Sequence, residues 1–381
     1  MEPGLAWPAF SPTPTTPGDD RGWKDRVMTK LTTALIQAQA QKMAGSRHVQ
    51  GAILAVDDPD AQGPYVAAAG DLAPDSPFCA ASTTKLIVTI VTMRLVEAGH
   101  IRLDDPMADH LPAELISGLH RRKGVDHTGR ITIRHLISNQ TGLRDYFSLK
   151  GPDGRRPADT LLAGQDSPWP LERTLLAVRG TEAQFLPGQK GKVAYSDTNY
   201  QLMGAILERV TGQSLPDLFA AEVFAPLGLR ATYVYSDPED ERPVWFYAGS
   251  RRLHLPHYLA SVPAEGGMVT TACELATIGR AVFEGRLFDI DALLAQQDWR
   301  MIFWPGQFYF GLGLERLWTP RFISPLRPIR DVMGFWGQTG AFVFHHPATR
   351  LTCAGTVNQA NGRGHAAAVR AMLNVIRAAR C

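Results

Sequence analysis

The sequence predicts an α+β fold in which an antiparallel sheet, flanked by terminal helices, is interrupted by a mainly helical domain. Residues 49–56 and 65–69 have the β-branched and apolar pattern of strands, and residues 340–345 and 351–358 repeat that pattern near the other end of the chain. The long stretch between them has mainly helical periodicity. Strands from both ends can therefore share one sheet around an insertion. The predicted ranges are 1–21 for a disordered tail, 22–80 with 260–381 for the sheet domain, and 81–259 for the helical domain, with the active site between the two domains.

The N-terminal elements follow from simple signals. The first 20 residues are rich in Pro, Thr and Gly, a composition typical of a disordered tail. A helix is predicted from about Gly22, because Val27, Leu31 and Leu35 fall on one helical face. The Asp- and Pro-containing segment 57–60 predicts the turn between the first two strands.

Residues 86–98 predict a buried helix, because they are apolar almost all round, and Gly99 is a plausible stop. Ser82 lies at its start, and Lys85 follows one turn later on the same side. Free backbone N–H groups and the positive end of the helix dipole favour negative charge on a serine oxygen there, and desolvation disfavours a proton on a lysine. The pair can be a nucleophile with its base. The alternative is a helix cap with an incidental lysine.

The remaining elements are mainly helical. Residues 150–168 and 237–252 are polar and rich in Gly and Pro, and we expect two long loops there, of the kind that are often disordered or form lids. Further helices are predicted at 131–138, 170–178, 199–210 and 364–380.

Composition excludes several function classes. The chain has 381 residues, 45% of them hydrophobic, and a net charge of +2, which indicates neither a nucleic-acid nor a membrane-surface partner. No apolar run is long enough to span a bilayer, and the N-terminus lacks the pattern of a secretory signal. We therefore expect a cytoplasmic protein.

The cysteines and histidines do not suggest a metal site. Cys79, Cys273, Cys353 and Cys381 have no ligand or disulfide-framework spacing, so reduced thiols are expected. His254 and His257 are one helical turn apart but lack an evident third ligand. The sequence predicts neither a metal nor a cofactor.

Several segments together resemble the serine β-lactamase and penicillin-binding-protein family, in its class C-like branch. The first is the Ser-x-x-Lys motif of Ser82 and Lys85; the others, in the same order and spacing, are 131–143, 185–188 with 195–204, 265–271 and 337–340. The resemblance covers roughly residues 22–380. It implies a serine hydrolase that acts through an acyl-Ser82 intermediate.

The resemblance also assigns site residues. Tyr195 matches the tyrosine of the family's Tyr-x-Asn motif, which helps to activate the serine and passes the proton to the leaving group; a nearby lysine is expected to lower its pKa. The backbone N–H groups of Ser82 and Ala341 are expected to form the oxyanion hole. Gly340 is expected to let the strand approach the substrate closely. The residues expected to contact substrate are Asp197, Gln338, Thr339, Gly340 and Trp336.

Two departures from the family pattern affect the substrate. Asp197 stands where an asparagine amide usually donates to a substrate carbonyl, and Gln338 stands where a lysine or histidine usually attracts a substrate carboxylate. Both changes favour a substrate without a carboxylate at that point, such as an ester. Phe335 and Trp336 adjoin this segment and are candidates for lining an apolar acyl site.

Three functions remain open at this point. The first is a carboxylesterase or related acyltransferase on small esters. The second is a β-lactamase, D-amino-acid peptidase or amidase, which would take a small amide. The third is a non-catalytic family member that binds such ligands. The Ser82, Lys85 and Tyr195 combination favours catalysis over the third.

Overall fold

A computed structural model describes residues 31–302, 308–319, 329–360 and 362–379. The predicted tail at 1–21 and the predicted start of the first helix near Gly22 lie outside the described residues, as does Cys381.

The described chain is built of α-helices and mostly short β-strands. The first third contains α1 (Thr33–Ala44), β1 (Gly51–Asp57), β2 (Tyr65–Gly70), β3 (Phe78–Cys79), α2 (Thr84–Glu97), α3 (Ala113–Ile116), β4 (Arg121–Arg122), β5 (Val125–Asp126) and α4 (Ile133–Ile137). The middle contains α5 (Pro157–Leu162), α6 (Leu171–Val178), α7 (Asp197–Thr211), α8 (Leu215–Phe219), β6 (Tyr233–Val234), β7 (Tyr247–Ala248), β8 (Arg251–Arg252) and α9 (Pro256–Ala260). The last third contains β9 (Met268–Thr270), α10 (Ala272–Phe283), α11 (Ile290–Leu294), β10 (Arg300–Met301), β11 (Phe308–Phe310), β12 (Glu315–Leu317), β13 (Met333–Trp336), β14 (Ala341–His346), β15 (Leu351–Thr356) and α12 (Gly362–Ala378).

The main sheet joins the two ends of the chain, as predicted. Within the described residues its strand order is β10-β11-β12-β13-β14-β15-β1-β2, with every neighbouring pair antiparallel. Ala354 of β15 lies opposite both Ala55 of β1 and Val343 of β14, so the N-terminal hairpin and the C-terminal hairpin meet at β15. The α+β class is confirmed.

Strand β1 shows how the sheet separates two cores. Every residue of β1 is buried, and successive side chains point to opposite faces. Ile53 and Ala55 pack in the core shared with the helical part. Ala52, Leu54 and Val56 pack in the core under the terminal helices α1 and α12. The sheet is therefore covered on both faces, which explains why its strands have nearly continuous apolar sequences.

Helix α2 occupies the centre of the helical part. Its residues from Thr84 to Met93 are all buried, which agrees with the apolar character of the sequence all round the helix. The preceding strand β3 pairs with β9, which in turn pairs with β6, so a small three-stranded sheet fixes the start of α2. Gly99 takes a positive φ of 73° just after the helix, as its predicted stop requires.

Some predictions of local structure need correction. The segments expected to be long loops contain helix α5, within 150–168, and the hairpin β7–β8, within 237–252. The helix expected at 131–138 is limited to Ile133–Ile137, where Thr132 caps its first turn by accepting from the His135 backbone N–H. Strands β10, β11 and β12, which form one end of the main sheet, were not predicted, because each has only two or three residues. The domain boundaries stay a prediction.

Candidate active site

Ser82 lies in a tight turn between strand β3 and helix α2. Residues Ala81–Thr83 form a 3₁₀ turn, and Ala81 has a positive φ of 45°, a region that residues other than glycine seldom occupy. Neighbouring hydrogen bonds hold this turn: the backbone N–H of Ala80 donates to the carbonyl of Met268 at 2.8 Å, and the Thr84 hydroxyl donates to the carbonyl of Ala81 at 2.7 Å. This turn therefore places Ser82 just outside the buried first turn of helix α2.

Lys85 lies one turn into the helix and is fully buried. Its Nζ donates to Ser82 Oγ at 2.9 Å and to the backbone carbonyl of Glu265 at 2.7 Å. The same nitrogen lies 2.7 Å from Asp197 Oδ1. Lys85 Nζ therefore has two hydrogen-bond acceptors, and Asp197 Oδ1 pairs with it by charge at a distance that is short but not aligned for a hydrogen bond. The alternative of an incidental lysine does not fit a buried side chain directed at Ser82.

Tyr195 contacts Ser82 from the helical side. Its hydroxyl lies 2.7 Å from Ser82 Oγ, two residues before helix α7 begins at Asp197. The expectation that a nearby lysine lowers its pKa is wrong. Burial, and then the negative charge of Asp197, raise the pKa of Tyr195 well above its usual range. Tyr195 is therefore a neutral phenol in the resting site.

Asp197 faces Lys85. Its side chain is 13% exposed and forms the ion pair with the fully buried Lys85 ammonium. Its backbone N–H donates to Asp145 Oδ1 at 3.1 Å, which places a second carboxyl group beside the first. The expected contact between Asp197 and substrate stays a prediction.

The segment after β13 closes the other side of the site. The Thr339 hydroxyl donates to the carbonyl of Cys79 at 2.7 Å, and Gln338 Nε2 donates to the carbonyl of Ala360 at 2.8 Å. Thr339 thereby ties this segment to the strand that leads into Ser82. The exposed Gln338 faces the cavity described below. Substrate contacts of both residues stay predictions.

Two glycines let this segment pack closely. A Cβ at Gly337 would lie 2.4 Å from the Ala80 carbonyl oxygen, 3.3 Å from Ala81 Cβ and 3.4 Å from Ala341 Cβ. The turn before Ser82 and the start of β14 at Ala341 are therefore adjacent, as an oxyanion hole built from their N–H groups requires; that role stays a prediction. Gly340 has a φ of 88°, and a Cβ there would lie 2.5 Å from Val357 Cγ2. Backbone conformation and packing therefore require glycine at 340 independently of any approach to a substrate.

A cavity of about 460 Å³ opens in front of Ser82, within the size range of small-molecule sites. Trp336 lines it as expected, whereas Phe335 is not among the lining residues and packs edge-on against Phe310. The alternation of side chains along β13 explains the difference. Apolar and aromatic side chains form much of the wall, among them Phe147, Leu161, Leu162, Trp245, Phe246, Leu255, Tyr258, Leu259, Phe308 and Trp336.

Three further carboxyl groups line this cavity, and none was identified from the sequence. Burial raises the pKa of Asp145 to about 7, with the charge of Asp197 adding to the effect. Burial also raises the pKa of Glu315 to about 8, and Glu315 Oε2 accepts from the Trp336 backbone N–H at 2.9 Å. The pKa of Glu265 is raised by burial and then by Asp197, against the opposing charge of Lys85.

A signal for two of these carboxyl groups was present in the sequence. Glu265 opens the segment 265–271, and Asp145 follows the segment 131–143, so both adjoin segments of the family pattern. Glu315 carried no such signal, because it lies in the unpredicted strand β12.

The structure also places the cysteines and a histidine that the sequence analysis considered. Cys79, Cys273 and Cys353 are free thiols. His254 Nε2 lies 3.4 Å from Glu241 Oε1 at the surface. Within the described ranges, no group of three His, Cys, Asp or Glu side chains could hold a metal ion. No helix in the described part of the chain has both the length and the apolar character needed to cross a membrane.

Comparison with known proteins identifies related sequences that have several activities. D-aminopeptidase of Cereibacter sphaeroides is 36% identical over 122 residues, which are 31% of this chain and 22% of that protein. Esterase EstB of Burkholderia gladioli is 31% identical over 167 residues, which are 43% of this chain and 40% of that protein. Each match covers less than half of the relative's length.

Solved structures share the fold over nearly the whole chain. D-amino acid amidase from Ochrobactrum anthropi superposes with a TM-score of 0.72 at 20% identity, covering 92% of this chain and 100% of that one. A family model described as Beta-lactamase matches residues 34–376. Because that match spans most of the sequence, the chain belongs to the beta-lactamase family.

Proposed function

We propose that the protein is a serine hydrolase that cleaves small esters through an acyl-Ser82 intermediate. The observation that carries this proposal is the position of Ser82 Oγ, 2.9 Å from Lys85 Nζ and 2.7 Å from the Tyr195 hydroxyl, at a cavity of small-molecule size. A nucleophile within hydrogen-bond reach of two proton-transfer groups is the arrangement that covalent catalysis needs.

In the acylation step, Ser82 Oγ bonds to the acyl carbon and the leaving oxygen departs. Lys85 accepts the Ser82 proton as it passes one of its own to Asp197, which lies 2.7 Å away. Tyr195, a neutral phenol, donates its proton to the leaving oxygen. The N–H groups of Ser82 and Ala341 stabilise the oxyanion.

The second step restores the resting site. The Tyr195 phenolate is a strong base because the pKa of the phenol is raised, so it takes a proton from the attacking water. The bond between Ser82 Oγ and the acyl carbon breaks. Lys85 returns a proton to Ser82, and Asp197 returns one to Lys85, so the protons balance over the cycle.

The charges of the cavity favour a substrate without a carboxylate. None of the described lining residues is a lysine or an arginine, and Gln338 is neutral where the family's cation usually stands. The Asp197 charge, which already raises the pKa of the Asp145 and Glu265 carboxyl groups beside it, disfavours a further anion in the same wall. These features favour an ester over a β-lactam, and the similarity to esterase EstB adds support.

Amide hydrolysis is the second candidate function. The similarity to D-aminopeptidase and the carboxyl groups beside Ser82 favour it, because those groups suit a substrate that bears an amine. The proposed substrate is thus a small-molecule ester or amide, and the proposed reaction is hydrolysis or acyl transfer. The proposed location of the protein is the cytoplasm.

The test is covalent labelling by an aryl phosphonate, measured as intact mass, with p-nitrophenyl butyrate, a chromogenic cephalosporin and D-alanine p-nitroanilide as substrates. The wild type should take up one label and hydrolyse the ester fastest. Ser82→Ala should abolish both, whereas the control Ser148→Ala, a second serine in the cavity wall, should still be labelled.

Three results would contradict the proposal. Labelling that persists in Ser82→Ala would exclude Ser82 as the nucleophile. Faster turnover of the anilide would favour the amidase instead. A wild-type protein that is neither labelled nor active would be a family member that binds such ligands without catalysis.

A further inference from the structure

The cavity contains an excess of acidic groups. Its described lining includes four carboxyl groups, those of Asp145, Asp197, Glu265 and Glu315. Lys85, whose ammonium lies behind the wall, pairs with Asp197. His365 adds no positive charge at neutral pH, because burial lowers its pKa to about 4. Three carboxyl groups therefore lack a cationic partner among the described residues that line the cavity.

Glu265 has an unused hydrogen-bond acceptor in this wall. The residue is 2% exposed, and its Oε1 accepts a short hydrogen bond from the Tyr146 hydroxyl, with the Tyr258 hydroxyl 3.5 Å away. Its Oε2 is buried and has no hydrogen-bond partner among the described residues. A buried carboxyl oxygen without a partner is costly, so a ligand donor at this position would be favourable.

Glu265 is also close to the reacting serine. Lys85 Nζ contacts both the backbone carbonyl of Glu265, at 2.7 Å, and Ser82 Oγ, at 2.9 Å. A Cβ on the next residue, Gly266, would lie 3.7 Å from Ala81 Cα. Ser82 and Glu265 also line the same cavity, so the acyl part of a substrate attached to Ser82 lies in the space that Glu265 borders.

We propose that the acyl part of the substrate carries a protonated amine, which Glu265 binds through Oε2. This inference rests on the proposed function, because it concerns the acyl group that Ser82 receives. A metal ion does not fit, since no described group of three carboxylate, imidazole or thiolate ligands is placed to hold one. An organic ammonium needs fewer ligands.

The walls beside Glu265 suit such a ligand. Phe147 and Tyr258 both line the cavity with their ring centroids 6.1 Å apart, and aromatic faces attract organic cations. The raised pKa values of Asp145 and Glu265 come from burial together with the Asp197 charge. A bound cation opposes both effects and so favours the ionised carboxylate. The substrate class is therefore an ester or amide whose apolar acyl body bears an ammonium group.

The experiment compares neutral and cationic ligands of matched shape. Primary n-alkylammonium ions from propyl to hexyl, and the n-alkanols of the same length, are tested as competitive inhibitors of p-nitrophenyl butyrate hydrolysis. In the wild type, the best ammonium should inhibit about 10- to 100-fold more tightly than its alcohol, the usual range for one hydrogen bond to a charged group.

Variants locate the binding group. Glu265→Gln keeps the shape and an acceptor for Tyr146 but removes the charge, so the preference for the ammonium should fall toward one. Glu265→Asp keeps a carboxylate and should retain part of the preference for the ammonium. The exposed Glu172, on helix α6 and outside the cavity lining, provides the control, and Glu172→Gln should keep the full preference.

The outcomes separate this inference from the proposed function. Equal inhibition by ammonium and alcohol in a wild-type protein that hydrolyses the ester overturns this inference alone, and that measurement needs no variant. A preference that survives in folded Glu265→Gln overturns the assignment to Glu265. Absence of phosphonate labelling and of ester hydrolysis overturns the proposed function and the inference with it.

Discussion

At the scale of single residues, the site is defined by the distribution of protons around Ser82. The serine oxygen contacts a buried ammonium and a neutral phenol, and Asp197 contacts the ammonium from behind. The raised pKa of Tyr195 means that the resting site contains no phenolate. In the proposed mechanism, Lys85, Tyr195 and Asp197 act as one unit in which each proton transfer depends on the others.

Removing Lys85 or Tyr195 should slow acylation. Lys85→Ala and Tyr195→Phe should each lower the acylation rate by at least about 10², the lower range for general acid–base catalysis. Because the two residues act as a unit, the double variant should lose far less than the product of the two single losses. The measurement is the pre-steady-state burst of p-nitrophenol release, with thermal unfolding as the control for folding. A loss in the double variant equal to the product of the two single losses would show that the two residues act independently.

Gln338 should influence the choice between anionic and neutral substrates. A cation at this position would donate a charge-assisted hydrogen bond to a substrate carboxylate, so Gln338→Lys should raise the kcat/KM of a chromogenic cephalosporin relative to p-nitrophenyl butyrate by about 10- to 100-fold. Gln338→Met, which adds no charge, is the matched control. An unchanged ratio in Gln338→Lys would mean that residues 338–340 do not contact the substrate as predicted.

At the scale of elements, two adjacent backbone segments position the nucleophile. The segment after β13 lies against the turn before Ser82, and the contact leaves no space for a side chain at Gly337. The Thr339 hydroxyl bonded to the Cys79 carbonyl fastens the same contact. Small displacements here move the donors of the expected oxyanion hole, although they change no catalytic side chain.

Gly337→Ala should therefore damage activity through the backbone. The added Cβ would lie 2.4 Å from the Ala80 carbonyl oxygen, so one of the two segments must shift. A shift of about 1 Å can cost about 10² in rate, and overpacking of this kind typically costs about 1–3 kcal/mol of stability. The measurements are kcat/KM for p-nitrophenyl butyrate and the unfolding temperature. Gly63→Ala, whose Cβ meets nothing within 4 Å, is the control; equal behaviour of the two variants would refute the argument.

The elements also show what the sequence could predict. The hairpin of β14 and β15 and the buried helix α2 have long apolar patterns, and their predicted positions agree with the structure. Strands β10 to β12 are too short to carry a pattern, and they form by pairing with one another and with β13. The site residues Ser82, Lys85 and Tyr195 were predicted because they fall in recognisable segments. The carboxyl group of Glu315 could not be predicted, because its position depends on the pairing of strand β12.

At the scale of the whole molecule, the cavity collects carboxyl groups from distant parts of the chain. Asp145 and Asp197 come from the helical part, Glu265 precedes β9, and Glu315 lies on β12 of the main sheet. Folding buries these groups together, so the free energy of unfolding must depend on pH through their protonation. Glu315 is the clearest case, because its hydrogen bond from the Trp336 backbone and its burial are both defined.

Replacing Glu315 should remove a pH-dependent part of the stability. Burial raises its pKa from the ordinary 4.5 to about 8, so between these values the folded protein keeps a proton that the unfolded chain releases. The free energy of unfolding should therefore fall as the pH rises through this window, by at most about 1.4 kcal/mol per pH unit from this group. Glu315→Gln keeps an acceptor for the Trp336 N–H but cannot ionise, so its stability should lose that slope. Urea unfolding at several pH values from about 5 to about 8 measures the difference between wild type and variant, with the exposed Glu172→Gln as the control that should follow the wild type. Parallel curves for wild type and Glu315→Gln would mean that the Glu315 carboxyl titrates in the folded protein as it does in the unfolded chain, in spite of its burial.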